Sequence, residues 1–202
     1  GTQTAALVFG GTPPDTGATE LWNGASWTEV EDLNSARSDG SDGCGTATAG
    51  LMMGGTPGRV AIVEEFNGTS WTESGDLPVG NQGATSNGIQ TDAILAGGNS
   101  DAAPGTEAEA YLYNGSTWTE VADLNQKREA LASFGKTSST VGVFGGEIPP
   151  SSALTEQFDG VAWTEVGDLN TARKALGGDG TNAAALATGG ATAVTTVEEW
   201  TR

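Results

Sequence analysis

A pair of adjacent glycines occurs five times, at Gly10-Gly11, Gly54-Gly55, Gly97-Gly98, Gly145-Gly146 and Gly189-Gly190, and successive pairs stand 43 to 48 residues apart. Each pair closes a short apolar run, such as Ala-Leu-Val-Phe before Gly10 or Val-Gly-Val-Phe before Gly145. An aromatic follows 11 to 16 residues after the first glycine, at Trp22, Phe66, Tyr113, Phe158 and Trp200. Five residues beyond the first four of these stand Trp27, Trp71, Trp118 and Trp163, each followed by Thr-Glu. Ten residues later come Arg37, Asn81, Arg128 and Arg173, and after 16 or 17 more the next glycine pair arrives. Fixed spacings joined by elastic ones define a repeat, so the fold is built from copies of one unit that share their cores with neighbours.

In the copy that opens at Arg37, the pattern predicts four strands: a over about 37–45, b over about 47–54, c over about 60–66 and d over about 70–75. Strand a is rich in small residues and suits a crowded innermost position. Strand b is a short continuous apolar run, which implies burial on both faces. Asn23-Gly24, Asn67-Gly68, Asn114-Gly115 and Asp159-Gly160 lie between c and d, where a type I′ hairpin is expected. Strands of this length, with Gly turns and a period in this range, predict an all-β fold, a β-propeller of about five blades with up to four antiparallel strands each. The whole chain, 1–202, then forms one domain, with repeats at approximately 1–36, 37–80, 81–127, 128–172 and 173–202. The pattern supplies five b, five c, four d and four a strands, so the first and last blades are incomplete. A four-bladed ring is the alternative, with one b–c hairpin redundant or exchanged between chains, and a piece of a longer repeat array is the third reading; strand exchange or an oligomer through the incomplete terminal blades is the partner expectation these counts leave open.

Composition narrows the chemistry. Among 202 residues there are 26 acidic and 8 basic side chains, a formal charge of −18 that repels nucleic acid and anionic surfaces. No histidine is present, which removes His-ligated metals, Ser-His-Asp and Cys-His nucleophile systems and the commonest general base. Cys44 is the single cysteine, so neither an intrachain disulfide nor a cysteine cluster can form. No run approaches the ~20 apolar residues of a membrane span, and the N-terminus lacks the basic and apolar regions of a signal peptide. No membrane insertion, cofactor or metal is expected. Asp39-Gly40-Ser41-Asp42-Gly43 has oxygen ligands at short spacing but lacks the distal Glu of a calcium loop and falls on a predicted strand.

The landmarks have structural readings. Trp27, Trp71, Trp118 and Trp163 recur at a fixed offset from a turn and are expected to wedge between blades. Asp32, Asp76, Asp123 and Asp168 lie five residues before Arg37, Asn81, Arg128 and Arg173, so a salt bridge or backbone hydrogen bonding at that corner is expected. Glu29, Glu73, Glu120 and Glu165 follow the tryptophans on an outer strand and form a charged edge that discourages strand pairing.

This order of landmarks, an Arg, a small-residue strand, an apolar strand ending in Gly-Gly, a strand ending in an aromatic and a strand carrying Trp, resembles the kelch repeat over the whole chain. The resemblance implies a propeller whose b-to-c and d-to-a connections share one face, the face through which kelch propellers bind partners. It also permits two exclusions: oxidases resembling galactose oxidase need two histidines, and sialidase-type propellers need an axial Arg cluster that five arginines, three of them landmarks, do not provide. The Asn-Gly-x-Ser-Trp-Thr-Glu-Val phrase looks like kelch-type repeats of phage and environmental bacterial surface proteins.

The b-to-c connections vary in length and chemistry while their surroundings stay fixed, and variable loops on a rigid frame are where binding usually resides. Asp15, Thr16, Arg59, Asn99, Asp101 and Glu147 are the candidate ligand-binding residues on these loops. A non-enzymatic module that recognises a cell-surface glycan or protein, at an extracellular or virion surface, is the expected function. A purely structural or assembly module is the alternative, and polysaccharide cleavage by paired carboxylates ranks third.

Overall fold

The computed structural model describes residues 1–40, 43–100, 105–191 and 195–202. Its elements are 21 β-strands in six antiparallel sheets of three or four strands, with no helix among the described residues. The first sheet has the order β1 (Ala6–Phe9), β2 (Thr19–Trp22), β3 (Trp27–Glu29). The second has the order β4 (Cys44–Thr46), β5 (Ala49–Met53), β6 (Val63–Phe66), β7 (Trp71–Glu73). Next come β8 (Asn81–Gln82), β9 (Thr85–Ile89), β10 (Asp92–Ala96), β11 (Asn99–Ser100), β12 (Gly105–Thr106), β13 (Ala110–Tyr113) and β14 (Trp118–Glu120). Of these, β9, β10, β13 and β14 make the third sheet, and β8, β11 and β12 form a small separate ribbon that the repeat pattern did not predict. The fourth sheet contains β15 (Ala132–Thr137), β16 (Thr140–Phe144), β17 (Thr155–Phe158) and β18 (Trp163–Glu165), and the fifth β19 (Gly177–Thr181), β20 (Ala184–Thr188) and β21 (Val197–Thr201).

The five repeat sheets follow the a-b-c-d scheme, with a absent from the first and d from the last. Strand a is shorter than expected in the second sheet, where β4 begins only at Cys44. Arg37 to Gly40 bends instead, because Asp39 sits at φ 48, a left-handed conformation outside the extended region of strands. Gly83, Ala130 and Ala175 take the same conformation in later copies, at φ 64, 52 and 50.

Successive sheets face each other across apolar layers. Leu7 and Phe9 of the first meet Met52, Phe66 and Trp71 of the second. Met53 and Val63 then meet Leu95, Tyr113 and Trp118 of the third. Ile94 and Leu112 face Val143, Phe158 and Trp163 of the fourth, and Phe134 and Phe144 face Ala187 and Trp200 of the fifth. The inner strands β4, β9, β15 and β19 touch in that sequence, and their small side chains permit the approach.

The glycine pairs explain how neighbouring sheets come so close. Gly97 has φ 68, and a Cβ there would lie 2.5 Å from the carbonyl oxygen of Arg128. The N–H of Gly98 donates to that same carbonyl at 2.8 Å. Identical bonds run from Gly11 to Arg37, Gly55 to Asn81 and Gly146 to Arg173. A side chain at the first glycine would push the sheets apart and break the bond at the second.

The c-to-d turns differ from the expected type I′ hairpins. Only the glycine has positive φ, for example Gly24 at 94, and the preceding Asn23 folds a four-residue loop by accepting the N–H groups of Ala25 and Ser26 on its Oδ1. Asn67, Asn114 and Asp159 repeat this turn. At Asp159 the N–H groups of Ala162 and Val161 hold the carboxyl below its ordinary range.

Each inter-sheet tryptophan also makes a polar contact backward. Trp118 and Trp163 donate from Nε1 to the carbonyls of Gly75 and Ala122, and Trp71 donates to Thr19 Oγ1, all in the preceding sheet. The fifth sheet has no d strand, and Trp200 of β21 takes over this role by donating to Gly167 at 2.8 Å. Trp27 belongs to the first sheet, has no preceding sheet to enter among the described residues and is 46 % exposed. Trp163→Ala should therefore lower stability by about 3–5 kcal/mol and Trp27→Ala by less than about 1 kcal/mol in chemical denaturation. Equal losses would remove the wedge role.

Candidate functional site

The end of the molecule where b-to-c and d-to-a connections meet is held by one recurrent cluster. Arg37, Arg128 and Arg173 are buried, and each reaches the glutamate two residues before the strand-c aromatic: Glu64 at 2.6 Å, Glu156 at 2.7 Å and Glu198 at 2.8 Å. Asn34, Asn125 and Asn170, three residues before each arginine, donate both backbone N–H and Nδ2 to the second carboxylate oxygen. Arg128 also donates from Nη1 to the carbonyls of Gly145 and Leu154, at the end of strand b and the start of strand c. Burial pulls the guanidinium pKa values of Arg37 and Arg128 below normal, opposed by the adjacent glutamates. At Glu198 burial alone would raise the carboxyl, but hydrogen bonds from Asn170 and the charge of Arg173 outweigh it and the net shift is downward.

The expected Arg–Asp pairing is thereby corrected to Arg–Glu. Asp32 and Asp168 instead accept the backbone N–H groups of Thr19 and Thr155, which serves the backbone half of that expectation. The copy with Asn81 changes three positions together: Pro78 replaces the asparagine, Asn81 the arginine and Tyr111 the glutamate. Asn81 Nδ2 donates to Gly97, its Oδ1 accepts from the N–H of Asn99, and no buried ion pair is needed. Tyr111 donates to Glu109, and burial followed by the nearby Glu109 charge pushes its phenol up to about 12.

The loop candidates mostly serve as ties between sheets. Asp15 accepts from Ser38 Oγ at 2.6 Å, and Ser38 also bonds Thr56, joining the first loop to the second. Thr16 bonds through its backbone to Gly11 and Arg37. Asn99 donates from Nδ2 to Glu129, Glu129 pairs through its backbone with Glu147, and Glu147 accepts from Lys174. Asn99 and Glu147 are thus brought together across three sheets, whereas Asp15 and Thr16 sit with the first two. Arg59 is half-buried at φ 53 with its carbonyl against Gly80. Asp101 lies outside the described residues, as do Ser41 and Asp42 of the oxygen-rich segment.

A recess of about 470 Å³ opens at this end among the inner-strand starts, lined by Asp39, Gln82, Gly83, Ala130 and Ala175 with their neighbours. Its wall is a relay of backbone hydrogen bonds: Gly83 N–H to Asp39 O, Ala130 N–H to Gly83 O and Ala175 N–H to Ala130 O, at 2.8 to 2.9 Å. A second cavity of about 510 Å³ lies further along the inner strands, against Cys44, Ser86, Ser133 and Gly178. Burial pushes the Cys44 thiol up to about 12, so its nucleophilic thiolate is scarce at neutral pH. Among the described residues no group of three or more Cys, Asp or Glu side chains could hold a metal ion. Both cavities present backbone amides and small hydroxyl or amide side chains that suit polar groups, with Asp39 on the wall of the first and the exposed Lys136–Asp179 pair, 3.7 Å apart, on that of the second. No family model matches the chain, and no curated protein matches it significantly.

Removing one member of a buried pair strands the other, so Glu156→Ala should cost about 3–5 kcal/mol. Combining Arg128→Asn with Glu156→Tyr and Asn125→Pro, the set found around Asn81, should recover more than half of that loss in urea titrations. The lowered Glu198 carboxyl contributes stability that is whole above its ordinary 4.5 and is lost as pH falls through the lower folded value. The difference in thermal midpoint between the native chain and Glu198→Gln should accordingly shrink below that pH, and a gap that stays constant would reject the link.

Proposed function

We propose that the stacked sheets form a kelch-like β-propeller of five blades, incomplete in the first and last, that acts as a non-enzymatic recognition module. The contiguous inner strands, the apolar layer between each pair of sheets and the carbonyl clasp repeated at each junction support this architecture. The observation that carries the function is the recess beside Asp39, Gln82, Gly83, Ala130 and Ala175: it lies at the variable-loop end, its volume suits a small polar ligand, and its wall is held by the backbone relay. A neutral sugar unit of a cell-surface glycan, or a polar protein loop, matches that lining, and the acidic exterior disfavours polyanions. Asn99, Glu147 and their partners Glu129 and Lys174 form the rim beside which the rest of a larger ligand would lie.

A purely structural module is the second reading, favoured by the engagement of Asp15, Asn99 and Glu147 in ties between sheets. A glycan array and a pull-down from cell surfaces separate the two. Recognition predicts a captured ligand whose binding falls at least about tenfold, 1.4 kcal/mol, when Gln82→Trp fills the recess mouth while the thermal midpoint holds. Absence of any ligand in both assays, with an intact fold, would leave the structural reading.

A further inference from the structure

The c-to-d turns are alike in backbone but differ at two positions that change together. Three read Asn-Gly-Ala-Ser, Asn-Gly-Thr-Ser and Asn-Gly-Ser-Thr, from Asn23, Asn67 and Asn114, and the fourth, from Asp159, reads Asp-Gly-Val-Ala. A hydroxyl stands in the last position wherever the first residue is an amide, and it is missing where that residue is a carboxylate. All four glycines lie at φ 91 to 94. In all four the first side chain accepts, on Oδ1, the N–H groups two and three residues on, at 2.9 to 3.0 Å.

Asn-Gly sequences are prone to one reaction, attack of the glycine nitrogen on the amide carbon, because glycine has no side chain to hinder the approach. The turn contacts surround the atoms of that reaction. Two N–H donors on Oδ1 at this range polarise the carbonyl and meet the charge that gathers on its oxygen as the attacking atom adds to Cγ. Nδ2, the group that would leave, donates to Ser26 Oγ, Ser70 Oγ and Thr117 Oγ1 at 3.1 to 3.3 Å, so a hydroxyl able to pass a proton lies beside it. The N–H of Gly24, Gly68 and Gly115 makes no hydrogen bond among the described residues, which leaves the attacking nitrogen unengaged. Asn87-Gly88 is the contrast, since it is fixed within β9 opposite Ile94 and Ala93, where the main chain cannot fold onto the side chain.

We propose that the turns at Asn23, Asn67 and Asn114 are self-modifying sites that convert their asparagine to aspartate and so reach the composition already present at Asp159. The glycine nitrogen bonds to Cγ and gives its proton to water. The Cγ–Nδ2 bond then breaks, and Nδ2 leaves as ammonia with a proton passed through the neighbouring hydroxyl. Water opens the resulting cyclic imide at Cγ, which restores the ordinary peptide bond to glycine and leaves a carboxylate. Opening at the main-chain carbonyl instead would route the backbone through the side chain, as isoaspartate, and lengthen the turn. Only the aspartate product recovers both N–H bonds in the unchanged turn, the arrangement seen at Asp159, so hydrolysis is directed to aspartate. Each conversion adds one negative charge at the end of the sheets opposite the variable loops, independently of any ligand at the recess.

Peptide mapping by mass spectrometry follows amide loss at each site in the full chain, incubated at neutral pH beside synthetic peptides spanning residues 20–30, 64–74 and 111–121. Conversion at Asn23, Asn67 and Asn114 should run at least about tenfold faster than in the peptides, with aspartate exceeding isoaspartate, while Asn87 keeps its amide. Thr117→Val, an exposed change that retains the backbone donor to Oδ1, should slow Asn114 at least about tenfold and leave Asn23 and Asn67 at their native rates, with an unchanged thermal midpoint. Asp159→Asn combined with Ala162→Ser should create a fourth converting site, and Asp159→Asn alone should convert about tenfold more slowly than the pair. Turns that lose amide no faster than the peptides, or that yield mostly isoaspartate, overturn the proposal, as does an unchanged Asn114 rate in the Thr117→Val chain.

Discussion

One carbonyl group at each junction carries the stack. The backbone oxygen at Arg37, Asn81, Arg128 and Arg173 accepts the N–H of the second glycine in the preceding sheet, while the side chain of the same residue turns into its own sheet. A single residue therefore holds two sheets in register, with its main chain facing back and its side chain facing forward. The double glycine is the complementary half, since only a backbone without Cβ approaches that oxygen so closely. Apolar layers drive the sheets together, but they are non-directional, and the clasp fixes how one sheet sits on the next.

Much of this was legible in the sequence because the features that build the frame recur. Glycine pairs, tryptophans and strand order could be aligned against one another, and the b, c and d strands fall where the alignment places them, whereas strand a of the second sheet is shorter and the β8–β11–β12 ribbon has no counterpart in the repeat. The partner of the arginine was not found, although its signal was present: glutamate stands two residues before the aromatic in each copy with a landmark arginine and is tyrosine in the copy with Asn81. Proximity in sequence favoured Asp32 and its equivalents, whereas the contact spans about one strand pair more. The left-handed residues after the arginines could not be foreseen, because Asp39, Ala130 and Ala175 share no side-chain property that requires that conformation. The candidate loop residues were chosen for variability, and variability alone does not separate a residue that contacts a ligand from one that ties two loops together.

The proposed recognition surface gains from this division of labour. Loop side chains spent on inter-sheet bonds limit the movement of the rim, so a ligand meets a surface that has already lost most of its conformational freedom. The recess itself exposes backbone held in place by a relay through successive sheets. Substitutions at the rim can alter selectivity without disturbing that floor, which is how repeat scaffolds diversify what they bind while retaining their shape.

The buried arginines have a colloidal consequence. Three of the eight cationic side chains are sequestered with three glutamates, which leaves the net charge at −18 but removes cations from the surface that water and other molecules meet. Strand edges of a β fold ordinarily invite two copies of a protein to pair edge to edge. Here each copy approaches the other through a strongly negative field, so the encounter is slow at low ionic strength and quickens as salt shortens the reach of that repulsion. Added salt therefore weakens the repulsion that keeps copies of this chain apart.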